Sequence, residues 1–341
     1  MKNLFHITAL SLSLFAGVAH ADADHTGLAE LTVSDSRSDR PLSGFFWYPT
    51  AQTGTAETVH TNAVWEGIDV IKDAAPEAGK HPFVVLSHGM YGNAMNQTWL
   101  ADALVGEGYI VAAISHPGTS TWLRDEDHAR ALWDRPRDIS RVIDHALSDP
   151  ALSAHIDPDR IYMAGHSLGG FTAVALAGGR FDPAAFDAFC ASDAADIGCK
   201  ALANWKVARS DDDRIQMAQD LSDPRIKAFA VYDLGGTQTF SAQSLAAIER
   251  PMLVMGAPVD IAGMNLDTES RALSALLPAE EVTYLEPATL SHFDFMGICK
   301  PAGFEILQTE EPGDEIICRD GGAARAQDHA MILKATVAQF Q

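Results

Sequence analysis

Three apolar runs set the strongest limit on what this chain can fold into: FVVLSHG (83–89), YIVAAISHPG (109–118) and RIYMAGHS (160–167). Each is apolar at successive rather than alternate positions, so each reads as a strand buried on both faces. Between them stand two helical patterns. NQTWLADALVGEG (96–108) closes on glycine, and PRDISRVIDHALSD (136–149) is amphipathic with Pro136 near its start. A small-residue helix, LGGFTAVALAGG (168–179), follows the third run. Further on come IKAFAVYDLGG (226–236), PMLVMGAPVD (251–260) and EVTYLEPATLSHFD (281–294), all strand-like, and a last helix over 323–340. Alternation of this kind predicts an α/β fold: a mostly parallel sheet flanked by helices.

Two regions depart from the alternation. Before it, LAELTVSD (28–35) and LSGFFWYP (42–49) read as strands joined by a polar turn, and 50–80 as a long connection with one short strand around VIKD (70–73). Within it, residues 181–222 carry Cys190, Cys199, Trp205 and several phenylalanines without strand periodicity. This stretch is expected to be a helical insertion, a lid over the end of the sheet in a single domain spanning 22–341. Its acidic run Asp211-Asp212-Asp213 reads as a solvated face or helix cap, because a calcium loop needs alternating oxygen ligands.

The net charge of -22, from 24 basic and 46 acidic residues, argues against a nucleic-acid partner, which is bound through Lys and Arg. Residues 1–21 pair Lys2 with an apolar stretch from Leu4 to Val18 and the small-residue signal Ala19-His20-Ala21. That is the pattern of a secretory signal peptide cut near Ala21, and the stretch is too short and interrupted for a membrane anchor. Export to a periplasmic or extracellular compartment gives the four cysteines a meaning. The local pairings Cys190–Cys199 and Cys299–Cys318 are expected as disulfides, since zinc-ligand spacing is absent.

Gly165-His166-Ser167-Leu168-Gly169 is a G-x-S-x-G motif between a buried strand and a small-residue helix. On so tight a turn the serine is lifted clear of its neighbours, which suits a nucleophile. A serine hydroxyl needs a base, and the base an orienting acid, in the chain order serine, acid, histidine. His292, after the last strand, is the expected base. Asp260, after a glycine-proline turn, is the preferred acid and Asp233 the alternative. The amides of Leu168 and Met90 are the expected oxyanion donors, with Gly89 letting the SHGMYGN loop close. Tyr91, His116, Trp122 and Phe293, together with Met90 and Met296, are candidates for the pocket wall, with a structural role the competing reading for His116.

The stretches LSHGMYGN, SHPG, DPDRIYMAGHSLGG, GAPVD and SHFDF resemble the exported dienelactone-hydrolase-like esterases of the α/β-hydrolase superfamily, which are themselves similar to platelet-activating-factor acetylhydrolases. The resemblance covers residues 80–340. It implies an α/β-hydrolase fold and a cofactor-free, metal-free ester hydrolase in which Ser167 attacks, His292 is the base and Met90 and Leu168 hold the oxyanion. Dienelactone hydrolases carry cysteine where this chain has Ser167, so that substrate does not transfer. The acetylhydrolases take their acid from the strand of Asp233, most other relatives from the loop of Asp260, so the resemblance leaves the acid open. The expected function is hydrolysis of a small or medium apolar ester through an acyl-serine. An amidase or acyltransferase with the same residues, or a non-catalytic binding protein of the same fold, are the alternatives.

Overall fold

The computed structural model describes residues 25–34, 39–260, 262–319 and 321–341. The expected signal peptide, 1–21, lies outside the described residues. Among the described residues ten strands form the sheet: β1 (His25–Val33), β2 (Leu42–Thr50), β3 (Glu57–Val59), β4 (Ile68–Lys72), β5 (His81–Ser87), β6 (Ile110–Ser115), β7 (Ile156–His166), β8 (Ile226–Tyr232), β9 (Met252–Met255) and β10 (Val282–Leu285). Their spatial order is β10-β9-β8-β7-β5-β6-β2-β1-β4-β3. From β6 to β10 every neighbouring pair is parallel. The β1–β2 hairpin joins antiparallel to β6 through β2.

The unbroken apolar runs have a direct cause. Along β5, Phe83 and Val85 pack into a core on one face, and Val84 and Leu86 into a second core on the other. β6 divides the same way, with Ile110, Ala112 and Ile114 on one side and Val111 and Ala113 on the other. Helices Asp134–Ser148 and Leu168–Ala177 supply the first core, and helix Thr98–Gly106 supplies the second with the C-terminal helix Ala323–Gln339. Each fully buried Val, Leu, Ile or Phe contributes roughly 1.5–3 kcal/mol of transfer free energy, so a two-sided strand is strongly held in register.

The chain departs from expectation in its short elements. The 281–294 run is a strand only over β10; it then turns through a 3-10 segment, His292–Phe295. Pro287 interrupts the ladder there, since it has no N–H to give. The connection 50–80 holds two short strands, β3 and β4, where one was expected. Residues 181–222 fold as three helices, Pro183–Cys190, Ile197–Asn204 and Asp211–Met217. The acidic triplet opens the third, where Ser210 and Asp213 form a reciprocal cap and Asp213 pairs with Arg130. Both expected disulfides, Cys190–Cys199 and Cys299–Cys318, are present. No helix among the described residues is long and apolar enough to cross a membrane.

Candidate active site

Parallel strands end on one edge of a sheet, and the loops leaving that edge meet. Ser87, at the end of β5, sits level with Gly165 of β7, and His166 level with Tyr232 of β8. The residues that follow, His88, Ser167 and Asp233, therefore emerge side by side. An isolated bridge between Val259 and Ser291 brings the loop of His292 to the same edge.

Ser167 has φ 57° and ψ -119°, a left-handed backbone that side chains other than glycine rarely adopt. Tight packing under the turn imposes it: a Cβ on Gly169 would overlap the Ser87 carbonyl. Tyr91 (φ 56°) and Asp233 (φ 40°) also have positive φ. Non-glycine residues held there cluster at sites whose surroundings over-determine them. A Cβ on Gly89 would stand 3.0 Å from Ser167 Cβ, closer than an ordinary contact, so the β5 loop lies against the serine and glycine lets it do so without a shift. Neither the Met90 nor the Leu168 amide donates to an acceptor among the described residues. Leu168 opens its helix, where the first amides have no intrahelical partner.

His292 is buried, and its Nδ1 lies 2.7 Å from Asp233 Oδ2. The other Asp233 oxygen accepts the Ala257 amide at 3.0 Å. A carboxylate accepts only, so Nδ1 carries the proton and Nε2 is left as the basic nitrogen. The His292 carbonyl accepts from His166 Nε2 at 2.7 Å, which ties the histidine loop to the residue preceding Ser167. Burial beside His292 holds His166 well below the usual imidazole range, hence neutral. Below the loop, Asp294 accepts from the Ser291 amide and hydroxyl and from Arg325. The Cys299–Cys318 bridge follows immediately.

Asp260, the preferred acid, lines a small cavity beside Asp233 and His292, but the carboxylate bonded to His292 is that of Asp233. Asp260 is exposed, and its Oδ1 accepts the Gly263 amide at 2.8 Å, capping its own loop. β9 ends at Met255, four residues short of Val259, and the chain has turned outward by Asp260. Asp233 follows β8 directly and has no such distance to cross.

The serine opens on an apolar cleft of about 560 Å³, its mouth included. Met90, Phe171 and Met264 form part of the wall; Ile197, Leu202 and Trp205 reach in from the 181–222 insertion. Of the other residues expected in the wall, none is placed in it. His116 is fully buried behind the loop, hydrogen-bonded to Ser87 and Asp138. Trp122 is 67% exposed on the surface. Phe293 packs edge-on against His292, and Met296 is buried beneath the loop, its carbonyl accepting from His329. Tyr91 stands at the rim, where its hydroxyl accepts from Trp205 Nε1 at 2.9 Å.

Sequence reasoning missed Trp205, Met264 and Glu269 as lining residues. The insertion was expected as a helical lid, but which of its side chains face the serine was not legible. Glu269 borders both the serine cleft and a smaller cavity of about 250 Å³ that holds Asp233 and His292. Its carboxyl accepts the Gly236 and Thr237 amides at 2.7–2.9 Å. Burial, with the Asp196 carboxyl beside it, pushes it up to about 8. It holds the loop that leaves Asp233 in place. The residues described contain no group of three or more metal-ligating side chains.

A model of the alpha/beta hydrolase family matches residues 84–297, which includes every residue of the site. Cutinase est1 of Thermobifida alba is 31% identical over 101 residues, 29% of this chain and 31% of its own. Cutinase 2 of Thermobifida cellulosilytica is 30% identical over 101 residues, 29% of this chain and 35% of its own. The alignment thus spans about a third of the length of these curated relatives. Among solved structures, a ferulic acid esterase from Streptomyces cinnamoneus superposes with a TM-score of 0.60 over 95% of this chain and 91% of that one, at 18% identity. A likeness at that identity speaks for the fold.

Proposed function

This chain belongs to the alpha/beta hydrolase family, and on that footing we propose that it is a serine esterase acting on a small or medium apolar ester. The observation that carries the reading is the 2.7 Å bond from His292 to Asp233 beside a left-handed Ser167 that opens on an apolar cleft. The names of the cutinases and of the ferulic acid esterase support an ester bond as the target. An acid placed after β8 is also what the resemblance to the acetylhydrolases implies.

The chemistry runs in two halves. Ser167 Oγ attacks the ester carbonyl carbon while His292 Nε2 takes its proton. Asp233 keeps the imidazole in the Nδ1–H tautomer and stabilises the imidazolium that forms. Negative charge on the carbonyl oxygen is met by the Met90 and Leu168 amides; one such donor is worth about 10²–10³ in rate. Collapse expels the alcohol, which takes the proton from His292, and leaves an acyl-serine. Water then gives a proton to His292 and attacks the acyl carbon. Ser167 leaves with that proton, and the carboxylic acid is freed. We place this activity in an exported protein, a reading supported by the two disulfides, which form and persist in oxidising compartments.

A panel of p-nitrophenyl esters with graded acyl chains, run beside a fluorophosphonate label, tests the proposal. Hydrolysis with Ser167 labelled in the mapped peptide is the expected result. No turnover and no label on folded protein would overturn it.

A further inference from the structure

Behind the β5 loop lies a second set of serine, histidine and aspartate. His116 Nε2 is 3.0 Å from Ser87 Oγ, and His116 Nδ1 is 3.0 Å from Asp138 Oδ2. Ser87 and His116 are fully buried and Asp138 is 1% exposed, so no substrate reaches them. Arg40 grips the Asp138 carboxylate with Nε at 3.0 Å and a terminal nitrogen at 2.9 Å. The set ends on Arg135, a guanidinium with no exposed surface.

Arg135 donates in four directions. It reaches Thr172 Oγ1 at 3.0 Å, Thr119 Oγ1 at 2.6 Å, Ser87 Oγ at 3.2 Å and the His88 carbonyl at 2.5 Å. These partners belong to separate elements. Thr172 is one turn into the helix that Leu168 opens, and Thr119 lies in the loop after β6, whose carbonyl accepts the Tyr91 amide at 2.8 Å. Ser87 and His88 begin the loop that carries Met90.

The chain of bonds continues to the Met90 amide. His88 Nε2 accepts the His116 amide at 3.0 Å, so the ring proton is on Nδ1, which donates to the Gly89 carbonyl at 2.7 Å. Gly89 C=O and Met90 N–H are two ends of one planar peptide. Fixing the carbonyl fixes the direction of the amide.

We propose that Arg135 is the positioning residue of the oxyanion hole. It locks the loop of Met90 to the nucleophile helix so that the two amides converge on one point. A buried cation that donates to several elements at once is worth most where a small displacement matters; a shift of about 1 Å in reacting geometry can change a rate ~100-fold. The inference rests on the esterase reading above, in which those amides hold the oxyanion.

The test compares Arg135→Met, Arg135→Lys and Thr119→Val with the intact protein. Three quantities are read: kcat and KM on a p-nitrophenyl ester, the Ki of a boronic acid that adds to serine as a tetrahedral anion, and the melting curve. Arg135→Met is expected to lose about 100-fold in kcat with KM within about threefold, and to weaken the boronic acid in the same proportion. Arg135→Lys, which keeps the charge and part of the bonding, should recover a portion of both. Thr119→Val keeps the guanidinium and removes one acceptor, and should lose about tenfold in each. A folded Arg135→Met with kcat within about threefold of the intact protein overturns the inference, as does a fall in kcat with an unchanged boronic acid Ki. If Arg135→Met does not fold, Thr119→Val decides by the same two readouts. An intact protein that turns over no ester and takes no label overturns the esterase reading and this inference with it; an active one with indifferent variants overturns this inference alone.

Discussion

Two serine–histidine–aspartate sets stand near each other at one edge of the sheet; they share residue types and a histidine–aspartate bond and differ in their surroundings. In the open set, Ser167 has a left-handed backbone, borders an apolar cleft and lies beside amides with no acceptor among the described residues. In the closed set, Ser87 ends a regular strand, has no exposed surface and receives a hydrogen bond from Arg135. His116 reaches its aspartate at 3.0 Å, much as His292 does at 2.7 Å. The histidine–aspartate bond by itself therefore does not tell the two sets apart. Access to a cleft, a left-handed serine backbone and amides without an acceptor among the described residues do.

The comparison breaks first at the serines. Ser167→Ala should lose about four or more orders of magnitude in ester hydrolysis and all fluorophosphonate labelling. Ser87→Ala should keep the label and lose no more than about tenfold, through the loop it supports. Labelling that survives in Ser167→Ala and disappears in Ser87→Ala would reverse the assignment.

The acids come next. Asp233→Asn should fold and lose about four orders of magnitude, because the amide favours the wrong imidazole tautomer. Asp260→Asn should stay within about threefold, since its side chain caps a surface turn. Melting curves beside the kinetics separate lost chemistry from lost fold, and an inactive, folded Asp260→Asn would break the reading.

Acid probes the closed set and the other buried histidines. Burial and the neighbouring Arg135 hold His88 and His116 well below the usual imidazole range, and burial brings His60 and His329 down to about 4. Below an unfolded pKa of about 6.5 the unfolded chain takes up protons that these native histidines refuse. Their contribution to stability is present above that value and is lost as the pH falls toward 4. The melting temperature should drop on the order of 10 °C between pH 6.5 and 4, and His116→Gln should show a shallower fall. A flat profile over that range would argue that these rings are hydrated.

The smallest effect concerns the tethers. The Cys299–Cys318 bridge closes 19 residues behind the His292 loop, and Cys190–Cys199 closes 9 in the insertion. On the chain-entropy account, replacing the first pair by serine should remove about 3 kcal/mol, and the second about 0.7 kcal/mol less. Denaturant melts of the two double variants check the order.

The periodicity of the chain determined the sheet and helices, because a strand covered on both faces must be apolar at every position, and that pattern needs no knowledge of the neighbours. Ser167 and His292 were legible for a related reason: a glycine-flanked serine and a histidine after the last strand are local features. The disulfides were local too. What tertiary structure decided was which groups meet. Asp233 and Asp260 both follow a strand, and only the outward turn of the chain after Met255 separates them. The cleft wall was hidden because Trp205 and Met264 arrive from loops whose direction no period encodes. Arg135 and Asp138 were hidden in an amphipathic helix, where charged residues ordinarily face water. Their burial follows from three elements offering acceptors to one guanidinium, and such a meeting point exists only once the chain has folded.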